Sequence, residues 1–216
     1  MINVREMLLA FYDRLFEFFG PQKWWPARSR FEIIVGAILT QNTSWKNVEK
    51  AIKNLRSAGI LNYQALKDLS QRRLAWLIRP AGYYNIKAKR LKSFVNFLSL
   101  EYQGDLNKML KEKTSVLRQR LLNVKGIGKE TADSIILYAA GKPVMVIDAY
   151  TKRIFSRHRL ISPDASYDDV QKLFMDNLPK SPVFYNEFHA LIVRLGKEYC
   201  VKKPRCSTCP IASLKY

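Results

Sequence analysis

The sequence predicts an all-α fold, on three observations. Apolar residues recur three or four apart in nearly every periodic segment. No alternation of apolar and polar residues lasts more than four residues, so strands have little pattern to rest on. Gly and Pro fall between the periodic segments, as in Gly20-Pro21, Pro80-Ala81-Gly82 and the pair Gly141 and Pro143.

The first helix covers 4–19, where Leu8, Leu9, Phe11, Tyr12, Leu15, Phe16 and Phe19 form a broad apolar stripe. A loop with the run Trp24-Trp25-Pro26 follows. Segment 31–40 reads as a buried helix, and Thr43 or Ser44 can cap the next, which stops at Gly59. Shorter helices fit 63–69 and 71–78. Over 84–102, Tyr84, Ala88, Leu91, Val95, Leu98 and Tyr102 line one face of a long helix. Lys87, Lys89, Arg90 and Lys92 occupy its other face. Helices at 114–122 and 129–140 flank a glycine turn. Residues 144–147 form a short extended run, and Asp148 can cap the helix after it. Ser166 precedes a helix to 178 and Ser181 precedes one to 199. No internal repeat or low-complexity tract is present.

A chain of 216 residues can bury a real core as one domain or two small ones. With 48% hydrophobic and 12% aromatic residues it is neither disordered nor collagen-like. Its apolar runs, 31–39 and 135–140, are too short to span a membrane. The N-terminal stretch, interrupted by Glu6, Asp13, Arg14 and Glu17, reads as an amphipathic helix and not a signal peptide. A cytoplasmic, nucleoid-associated protein is expected. The net charge of +19 favours a polyanionic partner, nucleic acid first and an anionic membrane surface second. Basic residues run from Arg5 to Lys215, which suggests a folded basic surface rather than a tail. Cys200, Cys206 and Cys209 cluster at the C-terminus, an odd set that suggests a metal or cluster site more than a disulfide.

The most informative stretch is 121–136, LLNVKGIGKETADSII. A helix ends, the chain turns, and a second helix starts after Gly128. Glycines at 126 and 128 allow a tight bend and leave the amides of Gly126, Gly128 and Lys129 uncovered at a helix N-terminus. There a partial positive charge favours an anion. Lys125 and Lys129 add full charges. Such a turn can grip a phosphate without reading a base. A plain αα-hairpin with glycine for steric reasons is the alternative.

VKGIGKETADSI followed by PVMVIDAYTKRIFSR resembles the helix-hairpin-helix DNA glycosylase superfamily, in its endonuclease III branch. The resemblance runs from about Trp25 to Cys209. It implies a two-lobed, all-α fold with a DNA cleft between the lobes. The expected parts are an N-terminal helix and aromatic loop at 1–26, a bundle ending in the hairpin at 27–135, and a C-terminal lobe at 136–216. It implies that the chain acts as a monomer on damaged duplex DNA.

The departures bear on chemistry. Bifunctional members of the branch place a catalytic lysine two residues after the second hairpin glycine; Glu130 stands there in this sequence. A carboxylate cannot form a Schiff base with C1′. Lys129 is adjacent, but one helical step turns its side chain about 100° away. The resemblance then implies a monofunctional glycosylase, with Asp148 as its catalytic carboxylate. Asp148 would stabilise positive charge on the sugar and orient or deprotonate water; a plain helix cap is the alternative. Trp24, Trp25, Pro26, Trp45 and Glu130 resemble the base pocket of bacterial 3-methyladenine DNA glycosylases. An electron-rich aromatic pocket favours a cationic, alkylated purine. Such a base leaves readily, which suits a site without a histidine or lysine. A bifunctional glycosylase and abasic-site lyase acting on oxidised pyrimidines, or a mismatch-thymine glycosylase, is the alternative.

Gln41 resembles the family's residue that fills the gap left by a flipped base, and Tyr83 its wedge. Gln41 could instead cap the helix near Ser44, and Tyr83 could pack under its loop. The tail resembles the family's iron–sulfur loop, but its first cysteine gap is one residue short and the fourth cysteine position is Lys215. Cys200, Cys206 and Cys209 would hold a [4Fe–4S] cluster only with an exogenous fourth ligand. A metal-free loop and three-thiolate zinc are the alternatives.

Overall fold

A computed structural model describes residues 3–214. Those residues form α-helices joined by turns, with no strand among them. They divide into two compact units. Ala27–Gly141 forms one, and the segments before and after it form the other. The second boundary falls later than the expected 135. The residues just past 135 form a π-turn, Ile135–Ala139, that packs on a helix of the first unit, Arg30–Leu39.

In the unit Ala27–Gly141, α2 (Arg30–Leu39) buries Ile34, Val35, Ile38 and Leu39. Ser29 starts it by accepting the Glu32 N–H at 3.1 Å. α3 (Trp45–Ser57) and α6 (Tyr84–Tyr102) pack on it, and α4 (Tyr63–Asp68) and α5 (Gln71–Leu77) pack on α6. Side-chain oxygens of Asn62 and Ser70 cap α4 and α5. Sequence reading missed α7 (Leu106–Lys111). It is a single short helix in a polar stretch, held by an Asp105 cap and by burial of Met109 and Leu110. α8 (Thr114–Leu122) and α9 (Lys129–Ser134) flank the glycine turn. The helix expected over 129–140 is α9 followed by the π-turn, where Ala140 N–H bonds to Ile135 O at 3.1 Å.

α8 and α9 are tied by a bidentate pair. Arg118 Nε and Nη2 donate to Asp133 Oδ1 and Oδ2 at 2.7 and 3.1 Å, and Asp133 is fully buried. A second pair, Arg56 Nη2 to Glu32 Oε1 at 2.6 Å, fastens α3 to α2.

The other unit contains α1 (Val4–Phe19), α10 (Ala149–Arg157), α11 (Tyr167–Asn177) and α12 (Pro182–Glu198). Phe11, Phe155, Phe174 and Phe188, one from each helix, meet in its core. Phe11 and Phe155 lie 5.0 Å apart, and Phe155 meets Phe174 edge-on at 4.8 Å. Gly196 lets α12 approach α10, since a Cβ there would strike the Tyr150 ring. The run 144–147 is outside any helix and buried, and Gln171 Nε2 holds Met145 O at 2.7 Å. No described helix is long and apolar enough to cross a membrane.

Removing one partner of a buried ion pair leaves the other charge stranded. Asp133→Ala is expected to cost about 3–5 kcal/mol of folding stability, measured by urea denaturation. Loss of less than 1 kcal/mol, on the order of an exposed pair, would refute the role given to this clamp.

Candidate active site and nucleic-acid interface

Asp148 caps α10. Its Oδ1 accepts the Thr151 N–H at 2.7 Å and the Thr151 hydroxyl at 2.9 Å. Oδ2 lies 3.7 Å from His189 Nε2 of α12, beyond hydrogen-bond length but within strong electrostatic reach. The two side chains are only 11% and 8% exposed. Burial pushes the Asp148 carboxyl up. His189 and the two Thr151 donors outweigh it, so the group is held below the usual carboxylate value and stays ionised. The cap and a chemical role for Asp148 are therefore compatible: one oxygen is committed to the helix and the other faces a basic group. The expectation of a site without a histidine is corrected here. His189 gives no local signal of this, because it is distant in sequence from Asp148 and sits on an apolar helical face that reads as core.

The glycine turn is exposed at Lys125, Gly126, Gly128 and Lys129. Its two glycines differ in kind. Gly126 has φ +91°, and an added Cβ would collide with Arg90 Cγ of α6. Gly128, the N-cap of α9, has φ −94° and ψ −179°, and a Cβ there would meet open space. Gly126 is required by backbone geometry and a close neighbour, whereas Gly128 only keeps the helix start uncovered.

Gln41 reaches this turn. Its Nε2 donates to Gly126 O at 3.0 Å and to Thr131 Oγ1 at 2.8 Å, and its Oε1 accepts from Arg90 Nη1. Ser44 occupies the N-cap of α3, so Gln41 is not that cap. Tyr83 is 68% exposed at the head of α6 with φ +46°, so it does not pack under its loop. Lys87, expected on the polar face of α6, is only 1% exposed. Its Nζ donates to Ala81 O at 2.8 Å and so holds the turn that presents Tyr83. Burial, with Arg90 adding to it, pushes the Lys87 ammonium down to about 8.

Trp24 and Trp25 are half-buried, with rings 5.3 Å apart at 62°. Lys197 Nζ of α12 lies 5.9 Å from the Trp24 ring. Pro26 is exposed beside them. Trp45 and Glu130 belong to the other unit. Trp45 is half-buried with its Nε1 donating to Glu49 at 2.8 Å, and Glu130 is exposed in the first turn of α9.

Cys200, Cys206 and Cys209 line one cavity of about 560 Å³ together with Arg157, His158 and Arg205. Burial raises the Cys209 thiol pKa, and the neighbouring thiols add to that rise. Among the described residues no three His, Cys, Asp or Glu side chains are gathered to hold a metal ion. Lys215, at the fourth ligand position, lies outside the described residues. Three thiols so arranged do not fit a four-thiolate cluster. Two arginines of α10 hold the segment. Arg153 donates to Gly196 O and Cys200 O at 2.8 and 2.7 Å. Arg157 donates to Cys200 Sγ, Val201 O and Lys202 O at 3.2, 2.7 and 3.1 Å. Lys202, Lys203 and Arg205 are exposed beyond these clamps.

Gly126→Ala is expected to weaken duplex-DNA binding about tenfold or more, because the turn must shift. Gly128→Ala is expected to keep wild-type stability within about 0.5 kcal/mol. Fluorescence anisotropy and thermal melting check the two, and equal binding losses without loss of fold would refute the distinction drawn here. Limited proteolysis tests the tail. Arg157→Met is expected to speed cleavage after Tyr199, and Cys206→Ser is expected to leave it unchanged.

A profile described as HhH-GPD superfamily base excision DNA repair protein matches residues 35–180. The chain is 49% identical over 211 residues to a Methanocaldococcus jannaschii protein assigned to the DNA repair glycosylases, covering 97% of this chain and 96% of that one. A solved structure of H. pylori 3-methyladenine DNA glycosylase bound to 1,N6-ethenoadenine superposes with a TM-score of 0.78 at 32% identity, over 91% of this chain and 98% of that one. An endonuclease III–DNA complex shares the fold, with a TM-score of 0.83 at 22% identity over 100% of this chain and 96% of that one. The profile match runs through both the glycine turn and Asp148, and near-half identity extends along the length of the archaeal relative; this chain belongs to the HhH-GPD superfamily of base excision DNA repair proteins.

Proposed function

We propose that this DNA glycosylase is monofunctional and removes alkylated purines such as 3-methyladenine from duplex DNA by hydrolysis. The observation that carries the reading is Asp148, a nearly buried carboxylate kept ionised and oriented by Thr151. Cleavage of an N-glycosidic bond sends the bonding pair to the base and leaves positive charge on the sugar. A fixed carboxylate stabilises that charge without having to reorganise. Its second oxygen then orients the water that adds to C1′. An N-alkylated purine leaves as a neutral base and needs no proton from the protein.

Glu130 supports the absence of a lyase step, since it stands where an amine would have to attack. The H. pylori structure, at 32% identity, supports the alkylpurine class. In this reading the exposed glycine turn, with Lys125 and Lys129, grips a phosphate. Tyr83 wedges the opposite strand, and Gln41 takes the place of the extruded base. Trp24, Trp25 and Pro26 offer the aromatic face on which the extruded base stacks. The bifunctional alternative rests on Lys129, exposed and next to Glu130.

Duplexes that each carry one defined lesion, scored separately for free base and for strand nicking, test the proposal. Release of methylated purines without nicking is expected, together with a loss of about 10²–10³ in rate for Asp148→Asn. A covalent adduct trapped by borohydride would overturn the monofunctional reading. Equal base release by wild type and Asp148→Asn would overturn the role of Asp148.

A further inference from the structure

We propose that His189 is the proton acceptor behind Asp148, taking up the proton that the attacking water gives up. The inference rests on Asp148 acting in glycosidic hydrolysis as described above. When an alkylated purine departs, the C1′–N bond breaks and its electron pair leaves with the base. A water lone pair then forms the C1′–O bond, and one water proton must go elsewhere. The leaving group does not need that proton, because the cationic base has become neutral by departing.

Asp148 alone is a poor final holder of that proton. Its Oδ1 is committed to two Thr151 donors, and the group is held below the ordinary carboxylate range. Oδ2 is the oxygen left to receive a proton, and His189 Nε2 stands 3.7 Å from that same oxygen. An imidazole is the better resting place near neutral pH. Both side chains are almost enclosed, which strengthens their mutual attraction once His189 becomes an imidazolium.

Of the other titratable groups on the helices packed here, Tyr185 and Glu187 lie on α12 itself, Tyr12 on α1 and Asp176 on α11. Burial raises the Tyr12 and Tyr185 hydroxyl pKa values, so both remain neutral. Glu187 accepts the Gln22 N–H at 2.7 Å, and Asp176 accepts from Lys172 at 2.7 Å. Asp148 is the carboxylate that forms a close pair with His189.

Accepting the proton requires a neutral imidazole, and imidazoles as a class change charge between about pH 5 and 8, so base release should rise with pH across that window. Asp148, with its two Thr151 donors, is already ionised across that window, and a 3-methyladenine nucleoside is cationic throughout it. The experiment is single-turnover release of methylated purine from duplex DNA between pH 5 and 8, for wild type, His189→Gln, His189→Asn and Asp148→Asn. Affinity for a duplex with an abasic-site analogue and thermal melting accompany it. Expected for both histidine variants are a flat profile over this window and a plateau rate lowered about 10²-fold, with binding and melting near wild type. A wild-type pH profile and rate in either folded histidine variant would overturn the proposal. If Asp148→Asn itself released base as fast as wild type, the underlying reading would fall and this one with it. A flat wild-type profile beside an inactive Asp148→Asn would remove only the role of His189.

Discussion

The chemistry proposed for this enzyme depends on a carboxylate that must remain charged while nearly enclosed. Left alone, burial would neutralise it. Three features of one unit oppose that. The buried run 144–147 delivers Asp148 to the start of α10, where the helix dipole favours negative charge. Thr151 supplies two donors to one oxygen. His189, carried on α12, places a basic group opposite the other. The packing of α12 against α10, with Gly196 giving way to Tyr150, sets that last distance. A helix cap and the carboxylate proposed for the reaction thus coincide in one residue, because both need an anion held at a fixed angle.

In the other unit, α6 plays a comparable organising part. Its buried face, through Leu91, Val95 and Leu98, anchors it in the core. Its remaining side chains then act on the loops around it. Lys87 fastens the turn that presents Tyr83. Arg90 packs beneath Gly126 and holds Gln41, which itself bonds to the glycine turn. The residues assigned to phosphate gripping, wedging and gap filling therefore share one rigid mount. Such a mount limits the conformational freedom lost when DNA binds.

The C-terminal segment shows another solution to a local problem. A loop with little apolar content needs something to order it. Arg153 and Arg157 provide this with five hydrogen bonds, four to backbone carbonyls and one to Cys200 Sγ. The guanidinium suits the task because its planar fork reaches several acceptors at once.

Helical periodicity, capping residues and Gly-Pro breaks made nearly all the helices legible, because these signals are local in the chain. The short α7 was not, since a single turn held by one cap and two buried residues has no period to read. The glycine turn and Asp148 were also legible, as spacing and chemistry coincide there. Lys87 was misread, because helical position alone cannot tell a solvated lysine from one satisfied by a carbonyl six residues back. The different demands on Gly126 and Gly128 became visible only once Arg90 was in place. Sequence by itself determined the helical class, the basic surface and the candidate carboxylate. Tertiary structure alone decided that His189 stands beside that carboxylate, since residues forty-one positions apart meet only through the packing of two helices.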